Sequence, residues 1–394
     1  MNIFSEAHRR NPYAAYARLQ RESPVLRDSA TGLWMLFDHD SVKRALHEHE
    51  TFSSRLSPPG NQTSQWLVFT DPPRHTQLRA LVMKAFTPRV VANLEPRIRA
   101  LAHELLDARI ESGGLELVED FSLPLPLRVI AELFGVPAED RPRFQDWSDV
   151  IMAQGATLQG GEAQARVQAA FSRVTAEMNA YLQDLAEQRR SVPRDDLLTR
   201  LVEAEVDGER LSADALLGFF QLLLSAGHET TTNLINNAVL CLLEHPDALA
   251  RLREAPALTA SAIEEVLRYR APVQFMFRVT RRDVTMHGQV IPAGSMVLPM
   301  MGAANRDPRR FQDADRFDIT RNPNPHVAFG HGIHFCIGAP LSRLEGRVAL
   351  GVLLERLKDF RLASDAPWEP RQAIHVLGPT RLPLLFTPSG RAIA

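Results

Sequence analysis

Apolar positions along the chain recur mostly at steps of three and four, the period of one helix face. Val167, Phe171, Val174, Met178, Leu182 and Leu185 form such a stripe and predict a long amphipathic helix. Asn11 and Pro12 read as the cap and first turn of another helix reaching about Glu22. The strongest element starts at Ser212, a good N-cap, and runs without proline to Glu244, just before Pro246. At 1.5 Å per residue it would span ~50 Å. It is apolar around much of its girth from Leu216 to Leu224, which predicts a central position. Strand signals are fewer, at 33–37, 273–280, 284–286, 289–291 and 296–300, with turns at His287-Gly288 and Pro292-Ala293-Gly294. Residues 57–64 are a turn-rich loop. No repeat and no linker interrupts the pattern, so one mainly α domain over residues 1–394, with small β-sheets, is expected.

Composition narrows the partners. Hydrophobic content of 45% and charged content of 23% belong to a globular chain, and a formal net charge of −2 offers no footprint for nucleic acid. Cys241 and Cys336, the two cysteines, cannot build a disulfide framework, and the polar opening MNIFSEAHRR carries no secretory leader. No run reaches the ~18 apolar residues of a membrane span. A cytoplasmic protein without a membrane anchor is expected, with Cys241 a buried helix thiol and Cys336 free for chemistry.

The chemistry concentrates between Phe329 and Gly338, in FGHGIHFCIG. Gly330, Gly332 and Gly338 let the backbone turn tightly around Cys336. Pro340 then opens an apolar-periodic helix, so the cysteine stands just before a helix N-terminus, where the dipole and nearby donors favour a thiolate. One sulfur without a second cysteine nearby does not fit structural zinc or an iron–sulfur cluster, but it suits a haem iron.

The segment resembles the haem-binding signature of the cytochrome P-450 superfamily, filling each fixed position with Phe329, Gly332, His334, Cys336 and Gly338. The resemblance implies the cytochrome P-450 fold, haem b (iron protoporphyrin IX), and Cys336 as the metal's proximal thiolate ligand with His334 beside a haem propionate. Thiolate ligation pushes electron density to iron and assists O–O cleavage.

Further marks follow in the family's order. The central helix carries Ala226-Gly227-His228-Glu229-Thr230-Thr231. The resemblance makes Gly227 a point of close approach, Thr230 the holder of bound oxygen and its water, and Glu229 the proton relay. Local widening of the helix is part of that pattern, and Thr231 and His228 are bystanders in it. Glu265-Val-Leu-Arg268 matches the family's Glu-x-x-Arg, and Arg316 in Asp315-Arg316-Phe317 is expected to complete an ion-pair cluster holding the cysteine loop. His75 and Arg79, four apart on one helix, and Arg278 match propionate-binding positions; arginine's planar fork suits carboxylates.

The implied reaction inserts one atom of dioxygen into a lipophilic small molecule by hydroxylation or epoxidation. No flavin or nicotinamide fingerprint is present, so electrons are expected from a ferredoxin and an NAD(P)H-dependent ferredoxin reductase, with Arg343 and Arg347 as a docking face on a monomer. If Arg278 points to haem, strand alternation puts Gln274 and Met276 in the substrate pocket and turns Phe275 and Phe277 away. Leu222, Ala226, Trp66, Leu67 and Val68 are expected to complete the walls. The rival classes are a peroxide-driven haem peroxygenase and a non-catalytic haem-binding protein.

Overall fold

A computed structural model describes residues 5–56, 65–154, 162–371 and 373–389; the turn-rich loop at 57–64 lies outside the described residues. Helices dominate, as the periodicity predicts. The ones that matter below are α1 (Tyr13–Glu22), α2 (His39–His47), α3 (Arg74–Ala85), α4 (Glu95–Asp107), α5 (Pro124–Leu133), α6 (Arg141–Gln154), α7 (Glu162–Ser191), α8 (Ala213–Glu244), α9 (Thr259–Tyr269) and α10 (Ala339–Arg356).

The largest apolar cluster joins Leu101 of α4, Ile130 of α5, Met178 of α7, Phe220 of α8 and Val352 of α10. Helix α8 is the axis, packed against α5 and α10. Its cap is the one expected, the Ser212 side chain accepting from the Ala215 N–H. Several polar side chains that α8 carries into the core are hydrogen-bonded across to neighbouring segments. The Thr232 hydroxyl donates to the Ser122 carbonyl at 2.9 Å, and the Asn237 amide donates to the Arg270 and Leu377 carbonyls at 3.0 and 2.9 Å.

Two main sheets, of five and three strands, flank the helices, beside two two-stranded hairpins. With β1 (Val25–Arg27), β2 (Trp34–Leu36), β3 (Phe52–Ser53), β4 (Gly114–Glu116), β5 (Arg278–Thr280), β6 (Met296–Pro299), β7 (Leu357–Leu362) and β8 (Pro383–Pro388), their orders are β1-β2-β6-β5-β3 and β7-β8-β4. The expected strand from 273 is shorter. Residues 273–277 are irregular apart from a single bridge between Val273 and Val376, and regular pairing begins only at Arg278. Among the described residues no helix is long and apolar enough to cross a membrane.

Candidate functional site

One large cavity, with about 1440 Å³ of empty space including its mouth, opens between α8, the cysteine loop, α3 and the 273–278 segment. Its walls are mostly apolar, with Leu67, Val68, Phe86, Phe219, Leu222, Leu223, Ala226, Val273, Met276 and Met301 among them. Such a wall dehydrates whatever it encloses and favours lipophilic guests.

Cys336 faces this space. Its surface is open because it borders the cavity, although the residue lies deep among protein atoms. The loop is fixed by backbone contacts and by left-handed glycines. The Cys336 N–H donates to the Phe329 carbonyl at 2.9 Å, Gly330 and Gly332 both sit at φ +74°, and a Cβ on Gly332 would come within 3.1 Å of the His47 Cα. Arg343 stacks over the Phe329 ring at 4.5 Å while its fork grips Glu264 at 2.7 and 2.9 Å. The thiol does not behave as the dipole alone suggests: burial pushes it above its ordinary value, against the pull of the Gly338 and Ala339 N–H groups and of Arg79 and Arg343. A bound cation would reverse that balance, since a coordinating thiol is deprotonated.

Opposing the sulfur's apolar surroundings is a cluster of nitrogen donors. His75 is buried on α3 with both ring nitrogens lacking a partner, and the buried His334 Nε2 also lacks one, the two rings standing 4.3 Å apart. Burial, reinforced by the neighbouring charge of Arg278, lowers His334 to about 3. Arg278 is only 3% exposed, donates to the Phe277 carbonyl at 2.8 Å and makes no ion pair among the described residues. Burial drops its guanidinium to about 10, the sign of a cation awaiting an anion. Arg79 closes the ring, donating to the Phe335 carbonyl at 2.8 Å. Orphaned donors at the edge of an apolar cavity, with one sulfur opening into it, fit a flat apolar cofactor that bears carboxylates and a thiophilic metal. Haem is such a group.

On α8 the acid and the alcohol separate. Thr230 lines the cavity, and its hydroxyl donates to the Ala226 carbonyl at 2.7 Å. Glu229 is 7% exposed and does not border the cavity; burial raises its carboxyl to about 7, with Arg371 pulling the other way. His228 is tied to Ser148 of α6 and to the Leu224 carbonyl, and burial holds it neutral, near 4. Helix α8 runs on through the motif, with the Thr230 side chain bonded back to the Ala226 carbonyl one turn earlier. Gly227 does permit close approach, but of a packing neighbour: a Cβ there would come 2.8 Å from Ile130 Cδ1.

The ion-pair cluster differs from expectation in one member. Glu265 and Arg268 are fully buried and joined by two 2.8 Å bonds, and Arg268 also donates to the carbonyls of Asn305, Ala314 and Arg316. Arg316 thus contributes its carbonyl, while its side chain is exposed. The side chain that reaches Glu265 is Arg321, at 3.2 Å and 11% exposed, with the Asp318 N–H and the Asn324 amide also donating to that carboxylate.

Of the predicted pocket residues, Leu222, Ala226, Met276, Leu67 and Val68 border the cavity, and Phe275 and Phe277 pack away from it beside α1. Gln274 does not border it. With no regular strand at 273–277, alternation has no force there, and the buried Gln274 amide turns to the Ala271 carbonyl at 2.7 Å, its side chain filling the space a Cβ on Gly302 would take. Trp66 is likewise turned off the wall: its indole N–H donates to Gln221 at 3.0 Å. Sequence reading missed Ser342 and Glu345 of α10, which do line the cavity.

Residues 1–380 match the family model described as Cytochrome P450. Cytochrome P450 107B1 of Saccharopolyspora erythraea is 43% identical, over 97% of this chain and 96% of its own length. Vitamin D(3) 25-hydroxylase of Pseudonocardia autotrophica is 40% identical over 98% and 96%. The solved structure of cytochrome P450 CYP109Q5 from Chondromyces apiculatus superposes with a TM-score of 0.90 at 44% identity, covering 99% of this chain and 98% of that one.

Proposed function

Since the chain belongs to the cytochrome P450 family of haem-iron monooxygenases, we propose that a single domain over residues 1–394 takes haem b in its cavity, with Cys336 as the thiolate ligand. The observation that carries this is the pairing of one cysteine open to an apolar cavity with buried His75, Arg278 and His334 groups that lack anionic partners. Haem bound there supplies the redox chemistry that activates dioxygen.

The chain's own residues do the rest. His75, Arg79, Arg278 and His334 hold the propionates, which gives partners to the His75 and His334 nitrogens that otherwise lack them. Phe329, gripped beneath Arg343, and Gly338, whose backbone N–H points at the sulfur, keep the ligand aimed. Glu265, Arg268 and Arg321 anchor the segment leading into that loop. Glu229, poised near 7, exchanges a proton readily at neutral pH, and Thr230 stands one residue on, with its hydroxyl on the cavity wall. Leu222, Ala226 and Met276 exclude water and orient a lipophilic substrate. A hydroxylase of vitamin D(3) among the relatives supports a polycyclic, sterol-like molecule as the class.

Electrons come from a ferredoxin and its NAD(P)H-dependent reductase, docking on the monomer beside the cysteine loop. Arg343 and Arg347 offer the rim charge. The test is the reduced carbon monoxide spectrum of the haem-loaded protein: the red-shifted Soret band of thiolate ligation is expected, and it disappears in Cys336→Ala. Retention of that band in the variant overturns the ligand assignment.

A further inference from the structure

Asp71, at the turn into α3, is 1% exposed, and both of its carboxylate oxygens are engaged. Its Oδ2 accepts from the Ser53 hydroxyl and from Arg281 Nη2, each at 2.5 Å, and its Oδ1 accepts from the Ser54 N–H at 3.0 Å. The Asp71 carbonyl takes the His75 N–H, also at 3.0 Å. One residue thus stitches the start of α3, which carries His75 and Arg79, to β3 and to the residue that follows β5, the strand that Arg278 opens. Burial works against its charge, but the bonds from Ser53, Ser54 and Arg281 outweigh it and hold the carboxyl below its ordinary range, so Asp71 is an anion at neutral pH.

That anion does not sit where simple neutralisation would put it. Arg278 and Arg281 are three apart, yet the buried Arg278 has no carboxylate partner among the described residues, and Arg281, with 46% of its side chain exposed, takes Asp71. The effect of Asp71 on the donor cluster is exerted through space. Burial lowers Arg278, His75 and His334, with Arg79 adding to it at His75 and Arg278 at His334, and the influence opposing it at all three is the Asp71 charge. A carboxylate standing behind a buried cation offsets part of the cost of burying it and leaves the contact position to a guest. When a guest's carboxylates occupy that position, Asp71 and Arg281 stay behind as a fixed pair, the negative end buried and the positive end in water. Solvent screens Arg281 more than Asp71, so the donor cluster feels the pair as a net negative charge.

We propose that Asp71 is a positioning residue for the cofactor's carboxylate site and, with Arg281, sets its charge balance, holding the reduction potential of the bound iron below the value that the nitrogen donors alone would give. The inference rests on the haem-thiolate reading given above. Oxidised iron is the more positive state, so a nearby negative charge favours it and a nearby positive charge favours the reduced state. Removing Asp71 and removing Arg281 must therefore shift the equilibrium in opposite directions.

The experiment is a spectroelectrochemical titration of the substrate-free, haem-loaded protein, compared with Asp71→Asn, Arg281→Gln and the double variant. In Asp71→Asn the ferrous-to-ferric ratio at a fixed potential should grow about threefold to tenfold, a rise of about 28–59 mV at 59 mV per decade. In Arg281→Gln the ratio should fall, by a smaller factor because water already screens that charge. The double variant should lie between the two single variants. Damage to packing would move both single variants the same way, so the opposed signs separate charge from structure. Shifts of the same sign overturn the proposal, as does a ratio that changes by less than about 1.5-fold in Asp71→Asn. If Asp71→Asn does not accumulate, Arg281→Gln decides alone, a lowered potential supporting the proposal and an unchanged or raised one overturning it. Absence of the red-shifted carbon monoxide band from the unmutated protein instead sinks the haem-thiolate reading, so the two failures are distinguishable.

Discussion

Replacing Arg268 with lysine keeps the charge and removes the fork. In the folded protein the guanidinium spends all five of its N–H hydrogens, two on the Glu265 carboxylate and three on the carbonyls of Asn305, Ala314 and Arg316. An ammonium has three hydrogens, so at least two buried acceptors lose their donor. Each such loss costs about 1–3 kcal/mol, which puts Arg268→Lys at about 2–6 kcal/mol, a large part of the 5–15 kcal/mol typical of a folded domain. Urea unfolding of the haem-loaded protein, followed by Soret absorbance and far-UV circular dichroism, should show the midpoint falling with little change in slope. Arg316→Lys is the control. Its exposed side chain makes no contact in the cluster, so the midpoint should move by less than about 0.5 kcal/mol equivalent. Arg268→Lys within 1 kcal/mol of the parent, by this measure, would refute the donor accounting; equal losses at 268 and 316 would refute the placement of Arg321 as third member.

Glu229 has a folded value raised to about 7, so the folded state holds its proton more tightly than the unfolded chain. Its burial costs nothing below the unfolded value near 4.3 and becomes a penalty as pH rises through 7. Glu229→Gln should therefore stabilise the protein by roughly 2–3 kcal/mol at pH 8 and by much less at pH 5, read from urea midpoints at the two pH values. Arg278→Gln removes a buried cation that faces an anion only when cofactor is bound, so haem transfer to apomyoglobin should accelerate by at least about tenfold; an unchanged rate counts against the propionate role. Reversing charge at Arg343 and Arg347 should weaken ferredoxin binding and flatten its salt dependence. The effect will be muted, since Glu264 and Glu95 already offset these arginines, and unchanged affinity and salt slope remove them from the docking face.

What could be read from the sequence was what lies close together in it. The loop from Phe329 to Gly338 is a local pattern of glycines around one cysteine, and the structure keeps it local. Helix α8 announced both its cap and its end. The errors arose where a side chain's partner depends on the path of the chain through space. Arg316 and Arg321 are five apart in one winding segment, and only the tertiary course decides that Arg321 meets Glu265. Gln274 was placed by an alternation that needs a regular strand, and that strand starts four residues later. Glu345 gave no signal, since a glutamate among the leucines of α10 reads as its solvent side. Its burial comes from the packing of α10 among α4, α8 and α9, which the local sequence does not announce.

The unpartnered ring nitrogens of His75 and His334, and the buried Arg278 cation beside them, carry a consequence for the cell. Segments far apart in the chain converge on these groups and are left in deficit until a carboxylate-bearing guest arrives, so the guest's binding free energy is also folding free energy. At a thousandfold excess over its dissociation constant a ligand adds about 4 kcal/mol to a fold, enough to change how much protein survives proteolytic triage. Cofactor supply would then regulate this enzyme twice, by filling the site and by deciding how many copies persist to be filled.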